Sequence, residues 1–194
     1  MSHELPPAER KELLRREAFA RRDALDEGFR QRASLRIASR ALAFAGLEGL
    51  SPVGSYWPMR SEVDPRPLME GLVARGQDVA LSRIVHPHLS FRRWRPGDEL
   101  AKGTFGVKQP PDDAPLVLPR ALLVPLAAFD RRGGRIGYGK GHFDRAIKAL
   151  EAQHPLLVVG LAFSAQEIDE VPLEPHDRSL DAIVTETELV HARP

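Results

Sequence analysis

The 194-residue chain is long enough for one domain with a sizeable core, or at most two small ones. Its 42% hydrophobic and 28% charged residues are ordinary for a soluble globular protein, and a formal charge of +1 gives no reason to expect nucleic acid or an anionic membrane as partner. The absence of cysteine excludes disulfides, thiolate metal sites and a cysteine nucleophile and predicts a reducing cytoplasm, while no apolar run resembles a secretion signal or reaches the ~20 residues of a membrane helix.

Pro6-Pro7 precedes a stretch rich in helix formers over residues 8–27, with Leu14, Ala18, Arg21 and Leu25 as its inward stripe. Lys11 and Arg15 are four apart and project from one face of it, where a solvated pair is the usual outcome. A second helix is predicted at about 29–44, with Leu35, Ile37, Ala38 and Leu42 assigned to packing. Residues 53–57 read as a strand ending in the turn Pro58-Met59-Arg60-Ser61. Asp64-Pro65 then starts a helix that Gly76 closes. Strands at 79–82 and 89–94 follow, then a turn or short helix at 97–102. This strand–helix–strand spacing predicts a βαβ unit and a parallel sheet. Glu62 stands between a strand end and a helix start, where open α/β sheets place ligands. It is also readable as a first-turn acid favoured by the helix dipole.

Residues 102–119 are rich in proline and turn formers and read as an ordered surface loop. Leu122-Leu123-Val124-Pro125 is a buried strand stopped by proline. Gly133, Gly134, Gly137, Gly139 and Gly141 then fall within nine residues, with Arg135 and Lys140 among them and Asp144 beyond. Without a Cβ, glycine lets backbone N–H groups approach an anion, and such groups leading into a helix N-terminus form a phosphate cradle. Residues 135–144 therefore read as a triphosphate loop. The glycine N–H groups hold phosphate oxygens, Arg135 and Lys140 neutralise charge, and Asp144 holds a divalent metal. A plain glycine-rich surface loop is the competing reading, since neither Walker A nor Rossmann spacing is present. A helix over 142–153, a buried strand over 156–163, an element opening at Ser164, a polar loop over 172–179 and a last strand over 181–186 complete the chain.

At Val124-Pro125, Ala128-Phe129-Asp130, Gly134-Arg135-Ile136-Gly137-Tyr138-Gly139-Lys140-Gly141 and Asp144-Arg145 the chain resembles the signature of the 5-formyltetrahydrofolate cyclo-ligase family, also called methenyltetrahydrofolate synthetase. Lys11-Glu12-Leu13-Leu14-Arg15, Met59 to Glu62 and His176-Asp177 are similar to further family segments, and Phe105 to Pro110 matches loosely. The resemblance thus spans nearly the whole length. It implies one domain over 1–194: a three-layer α/β/α sandwich of about five mainly parallel strands, like the sugar-phosphate isomerase and CoA-transferase architecture.

The implied reaction converts 5-formyltetrahydrofolate to 5,10-methenyltetrahydrofolate with ATP and Mg²⁺, releasing ADP and phosphate. The γ-phosphoryl group goes to the formyl oxygen, N10 attacks the formyl carbon, and phosphate leaves. By resemblance, Lys140 and Arg135 are catalytic. ATP contacts come from Lys11, Arg15, Arg135, Gly137, Tyr138, Gly139, Lys140, Gly141, His142 and Phe143. Trp57, Met59, Glu62 and Tyr138 hold the folate, with Glu62 accepting from the pterin's amino and ring N–H groups. Asp144 and Asp177 ligate Mg²⁺. His142-Phe143 stands where many members carry two tyrosines, so any role needing a phenolic hydroxyl at Phe143 is lost. The expected protein is a cytoplasmic monomer without nucleic-acid or membrane partners.

Two other readings compete. A phosphosugar isomerase or CoA-transferase relative would share the sheet but leave Asp144 and Asp177 unexplained. A non-catalytic RNA-binding domain would use Arg21, Arg22, Arg30, Arg32 and Arg36. These alternate with acids, and no aromatic RNA-binding strand motif accompanies them.

Overall fold

The apolar runs of the sequence assemble into one seven-stranded sheet. A computed structural model describes residues 6–103, 106–174 and 177–192. Its strands are β1 (Val53–Ser55), β2 (Val79–Val85), β3 (His88–Trp94), β6 (Ala121–Pro125), β9 (Leu157–Leu161), β10 (Ala182–Val184) and β11 (Leu189–His191), with the short pairs β4 (Ala101–Lys102)/β5 (Lys108–Gln109) and β7 (Ala128–Phe129)/β8 (Arg135–Ile136) outside it. The order is β11-β10-β9-β6-β1-β2-β3. The five inner strands are parallel, and β3 and β11 pair antiparallel at the edges. Parallel strands are covered on both faces, which is why Leu122, Leu123 and Val124 are all fully buried.

Helices α2 (Glu27–Leu42) and α3 (Arg66–Ala74) cover one face through Ile37, Ala41, Leu68 and Leu72, packed on Val53, Leu81, Leu123 and Val159. Helix α4 (His142–Glu151) covers the other through Ala146, Ile147 and Leu150, against Leu122, Val124, Val158 and Ile183. The three-layer expectation is met. Each crossover connects parallel strands, but the two run in opposite directions: β1–α3–β2 moves toward one edge and β6–α4–β9 toward the other. β1 and β6 are neighbours, so the strand order reverses between them. The carboxyl ends of these two strands are therefore the place where such sheets bind ligands across a crevice.

Helix α1 (Pro7–Asp23) lies on the β7/β8 hairpin, through Ala18 against Ala127, Ala128 and Ile136. Several sequence expectations change here. The single helix expected over 8–27 ends at Asp23, because Asp26 caps α2, its Oδ1 accepting from the Phe29 N–H at 2.9 Å. The inward position near its end is Arg22, while Arg21 is exposed. Leu35 is 57% exposed rather than packed. Residues 97–102 give a turn and then β4, and β11 follows the strand expected to be last. Phe105 and His176 lie outside the described residues. Among the described residues no helix is long and apolar enough to cross a membrane.

Candidate active site

The loop after β6 divides its five glycines between two tasks. Gly133 and Gly134 close the β7/β8 turn around Asp130, which is fully buried. Asp130 accepts from the N–H groups of Arg132, Gly134 and Val171, each at 2.9 Å. A Cβ on Gly134 would come within 2.9 Å of that carboxylate and of Val171, so this glycine is fixed by close approach. Gly137, Gly139 and Gly141 form the accessible remainder. Gly141 takes a left-handed φ of +65° as the N-cap of α4, with no side-chain cap, so the first-turn N–H groups of the helix lack intrahelical partners.

The cations converge on this segment from two directions. Arg15 of α1 donates from Nε to the Gly137 carbonyl at 2.7 Å, and its guanidinium lies about 3.5 Å from where a Cβ on Gly139 would stand. Lys11, one turn earlier, donates to Asp177 at 2.5 Å and to Glu174 at 2.7 Å. Burial works against the Lys11 ammonium, yet these two carboxylates raise its pKa overall. Arg135 on β8 has a side chain only 5% exposed and pairs with Asp144. Burial lowers its pKa, with Asp144 and then Asp177 opposing. Arg135 Nε is buried with no hydrogen-bond partner. Lys140 is exposed, and its ammonium has no partner among the described residues.

Asp144 pairs directly with Arg135, while Asp177 pairs with Lys11 and adds a longer-range pull on the same guanidinium. No third His, Cys, Asp or Glu joins them in a cluster among the described residues. Two hard oxygen donors with the remaining positions left to water and phosphate suit Mg²⁺. Asp144 and Asp177 are donors of the chemical type that ion takes.

The second loop of the crevice follows β1. Met59 to Glu62 is a tight turn, with Glu62 N–H donating to the Met59 carbonyl at 3.1 Å and Arg60 in the left-handed region at φ +52°. It points Glu62 inward to 7% exposure. Glu62 Oε2 accepts from the Met59 N–H at 2.7 Å, whereas Oε1 is buried without a bonded partner. Burial pushes the carboxyl above its usual range, against the pull of Tyr138, the Met59 N–H and Arg22. Tyr138, between Gly137 and Gly139, joins the two loops. Its hydroxyl accepts from Arg22 NH1 at 2.7 Å and is near enough to Glu62 to favour the carboxylate, without closing a bond to Oε1. Arg22 was absent from the predicted site, although Lys11, Arg15, Ala18 and Arg22 share one helix face at spacings of four, three and four.

The remaining predicted residues surround this centre unevenly. Trp57 carries Arg66 at 5.3 Å and Lys108 at 6.0 Å from its ring centroid. His142 Nδ1 is 3.2 Å from the Pro87 carbonyl at the tip of the β2–β3 hairpin. Phe143 packs against both core clusters, in keeping with the loss of a phenolic role there. Two cavities of about 320 and 350 Å³ lie along β3 and include neither Glu62 nor any residue from 135 to 141.

A doubly covered parallel sheet with its cationic glycine loop and buried carboxylate at the strand reversal defines an α/β enzyme of the kind that binds ligands across a crevice. Residues 7–186 match the family model described as the 5-formyltetrahydrofolate cyclo-ligase family. The chain is 31% identical over 173 residues to the 5-formyltetrahydrofolate cyclo-ligase of Escherichia coli, covering 85% of this chain and 94% of that protein. The Saccharomyces cerevisiae 5-formyltetrahydrofolate cyclo-ligase is 32% identical over 206 residues, covering 93% and 97%. The solved structure of Aquifex aeolicus 5,10-methenyltetrahydrofolate synthetase superposes with a TM-score of 0.82 at 29% identity, covering 95% of this chain and 93% of that one. The chain belongs to the 5-formyltetrahydrofolate cyclo-ligase family.

Proposed function

We propose that the crevice between the β1 and β6 loops carries out the family's reaction, the ATP-driven closure of 5-formyltetrahydrofolate to 5,10-methenyltetrahydrofolate with release of ADP and phosphate. One observation carries the assignment of ends: the crevice has an unmatched acceptor on one side, Glu62 Oε1, and an unmatched buried donor on the other, Arg135 Nε. A pterin supplies N–H donors to the first, and a triphosphate supplies oxygens to the second. Tyr138 spans the interval between them.

A formamide carbonyl is a poor electrophile, and its oxygen does not leave as oxide. Phosphorylation of that oxygen makes it a phosphate leaving group, and N10 of the same molecule then closes the ring on the formyl carbon. Both nitrogens are already tethered, so the protein's task is placement and charge stabilisation. Glu62 and the Met59 turn hold the pterin. Lys11, Arg15 and the Gly137–Gly141 backbone hold the triphosphate, which displaces the carboxylates now paired with Lys11. Arg135 and Lys140 meet the negative charge spreading over the transferring phosphoryl group. Asp144 and Asp177 would hold Mg²⁺, whose contribution is to neutralise phosphate charge. We read the chain as a single-domain monomer, and its lack of cysteine supports a cytoplasmic setting.

Mixing the protein with 5-formyltetrahydrofolate, ATP and Mg²⁺ and following methenyl-folate absorbance tests this reading. Turnover that ceases when ATP or the metal is left out is expected. Turnover that persists without ATP would overturn it.

A further inference from the structure

Arg22 is among the largest fully buried side chains, 2% exposed, yet it is a permanent cation with five donors and no acceptor. Its Nε donates to Ser61 Oγ at 2.9 Å and its NH1 to the Tyr138 hydroxyl at 2.7 Å. The guanidinium carbon also lies 4.9 Å from the Phe19 ring centroid. The side chain therefore ties α1 to both crevice loops at once.

Because arginine only donates, it fixes the direction of every hydroxyl it touches. Ser61 accepts from it and so passes its own hydrogen to Asp23, a bond the structure contains. Tyr138 likewise accepts from it, so its phenolic hydrogen points away from the guanidinium, and the tyrosine opposes the upward push of burial on the Glu62 carboxyl. We propose that Arg22 is a positioning residue for the folate: it holds the Tyr138 hydroxyl and, through Ser61, the turn that carries Glu62, so that both loops meet the substrate in a fixed arrangement. This rests on the reading that Glu62 takes the pterin.

The groups facing Glu62 are Arg22 from α1, Tyr138 from the glycine loop, Tyr56 after β1 and the Met59 N–H of its own turn. Of the nearby acids, Asp23 is engaged by Ser61 and by Arg22 itself, whose guanidinium is 3.7 Å from Asp23 Oδ1, and Asp64 is engaged by Arg66. Arg22 and Tyr138 both oppose the upward push of burial on the Glu62 carboxyl. Removing either lets that carboxyl protonate at higher pH, where it no longer accepts from the pterin.

The test is calorimetric binding of 5-formyltetrahydrofolate to the full chain without ATP, across about pH 5.5 to 8.5, for the natural protein, R22M, R22K and Y138F. At pH 7, R22M should weaken folate by about tenfold or more, the scale of a lost charge-assisted hydrogen bond. The pH midpoint of binding should move upward by about half a unit or more in R22M and in Y138F. R22K should recover much of the R22M loss, and ATP affinity in R22M should stay within about threefold. Unshifted midpoints in both R22M and Y138F overturn the proposal while leaving the cyclo-ligase reading intact. So does equal loss of folate and ATP in R22M with no recovery in R22K, the mark of a merely structural role. Failure of the natural protein itself to bind 5-formyltetrahydrofolate would overturn the substrate reading and this proposal together.

Discussion

Glu62→Gln should make the protein more stable and a poorer binder of folate. The carboxylate is 7% exposed, with one oxygen 2.7 Å from the Met59 nitrogen and the other lacking a bonded partner. An amide of the same shape keeps the carbonyl for Met59 and removes the buried charge. Relief of that desolvation is worth about 1–2 kcal/mol, or roughly 2–8 °C in Tm for a chain of this size. The sign with pH follows from the raised carboxyl pKa. Its contribution to stability is full below the ordinary value near 4.5 and is lost as the pH rises through the higher folded value. The Tm gap between the variant and the natural protein should therefore be small near pH 4 and grow to a plateau by about pH 8. Thermal unfolding followed by circular dichroism measures it. Folate affinity should fall about 10–100-fold as charge-assisted bonds become neutral ones. A variant less stable than the natural protein at pH 8, or a gap that narrows as pH rises, would refute the reasoning.

Lys140→Ala should lower the turnover rate by about a hundredfold or more and leave Tm within about 1 °C, because the ammonium contacts no described residue; steady-state kinetics and a melting curve check both. Asp130→Ala removes the acceptor for the N–H groups of Arg132, Gly134 and Val171, the last two buried, and should cost about 3 kcal/mol or more, read in denaturant unfolding. Gly134→Ala should destabilise by about 1–3 kcal/mol through collision with Asp130 and Val171, again by denaturant unfolding. Asp177→Asn should raise the Mg²⁺ concentration needed for half-maximal turnover by about tenfold while folate binding without ATP stays unchanged.

The strand runs were legible because both faces of the parallel sheet are buried, and Leu122 to Val124 shows this as unbroken apolar sequence. The glycine loop stands out in the sequence, but the division of its glycines between a buried turn and an accessible segment does not. Nothing local separates Gly134, pressed against a buried acid, from Gly137, where a Cβ would meet nothing within 4 Å. That distinction depends on Val171, brought close only by the fold. Of the inward stripe expected for α1, Leu14, Ala18 and Leu25 pack as the spacing predicts and only Arg21 gives way to Arg22, because that turn of the helix meets two polar loops instead of an apolar surface. Arg22 was therefore read as one of several surface arginines. The break before α2 was signalled by Asp26, an N-cap residue lying within a continuous run of helix formers. β7, β8 and β11 are too short to carry a periodic pattern. The reversal of strand order that opens the crevice belongs to topology, which a βαβ pattern alone does not specify.

The most direct measurement is a crystal of the protein grown with a non-hydrolysable ATP analogue and Mn²⁺ in place of Mg²⁺, with anomalous scattering used to locate the metal. The triphosphate should lie along Gly137 to Gly141 with Arg135 and Lys140 on its oxygens, and the manganese peak should fall between the carboxylates of Asp144 and Asp177. A nucleotide bound elsewhere, or a metal touching neither aspartate, would contradict the account.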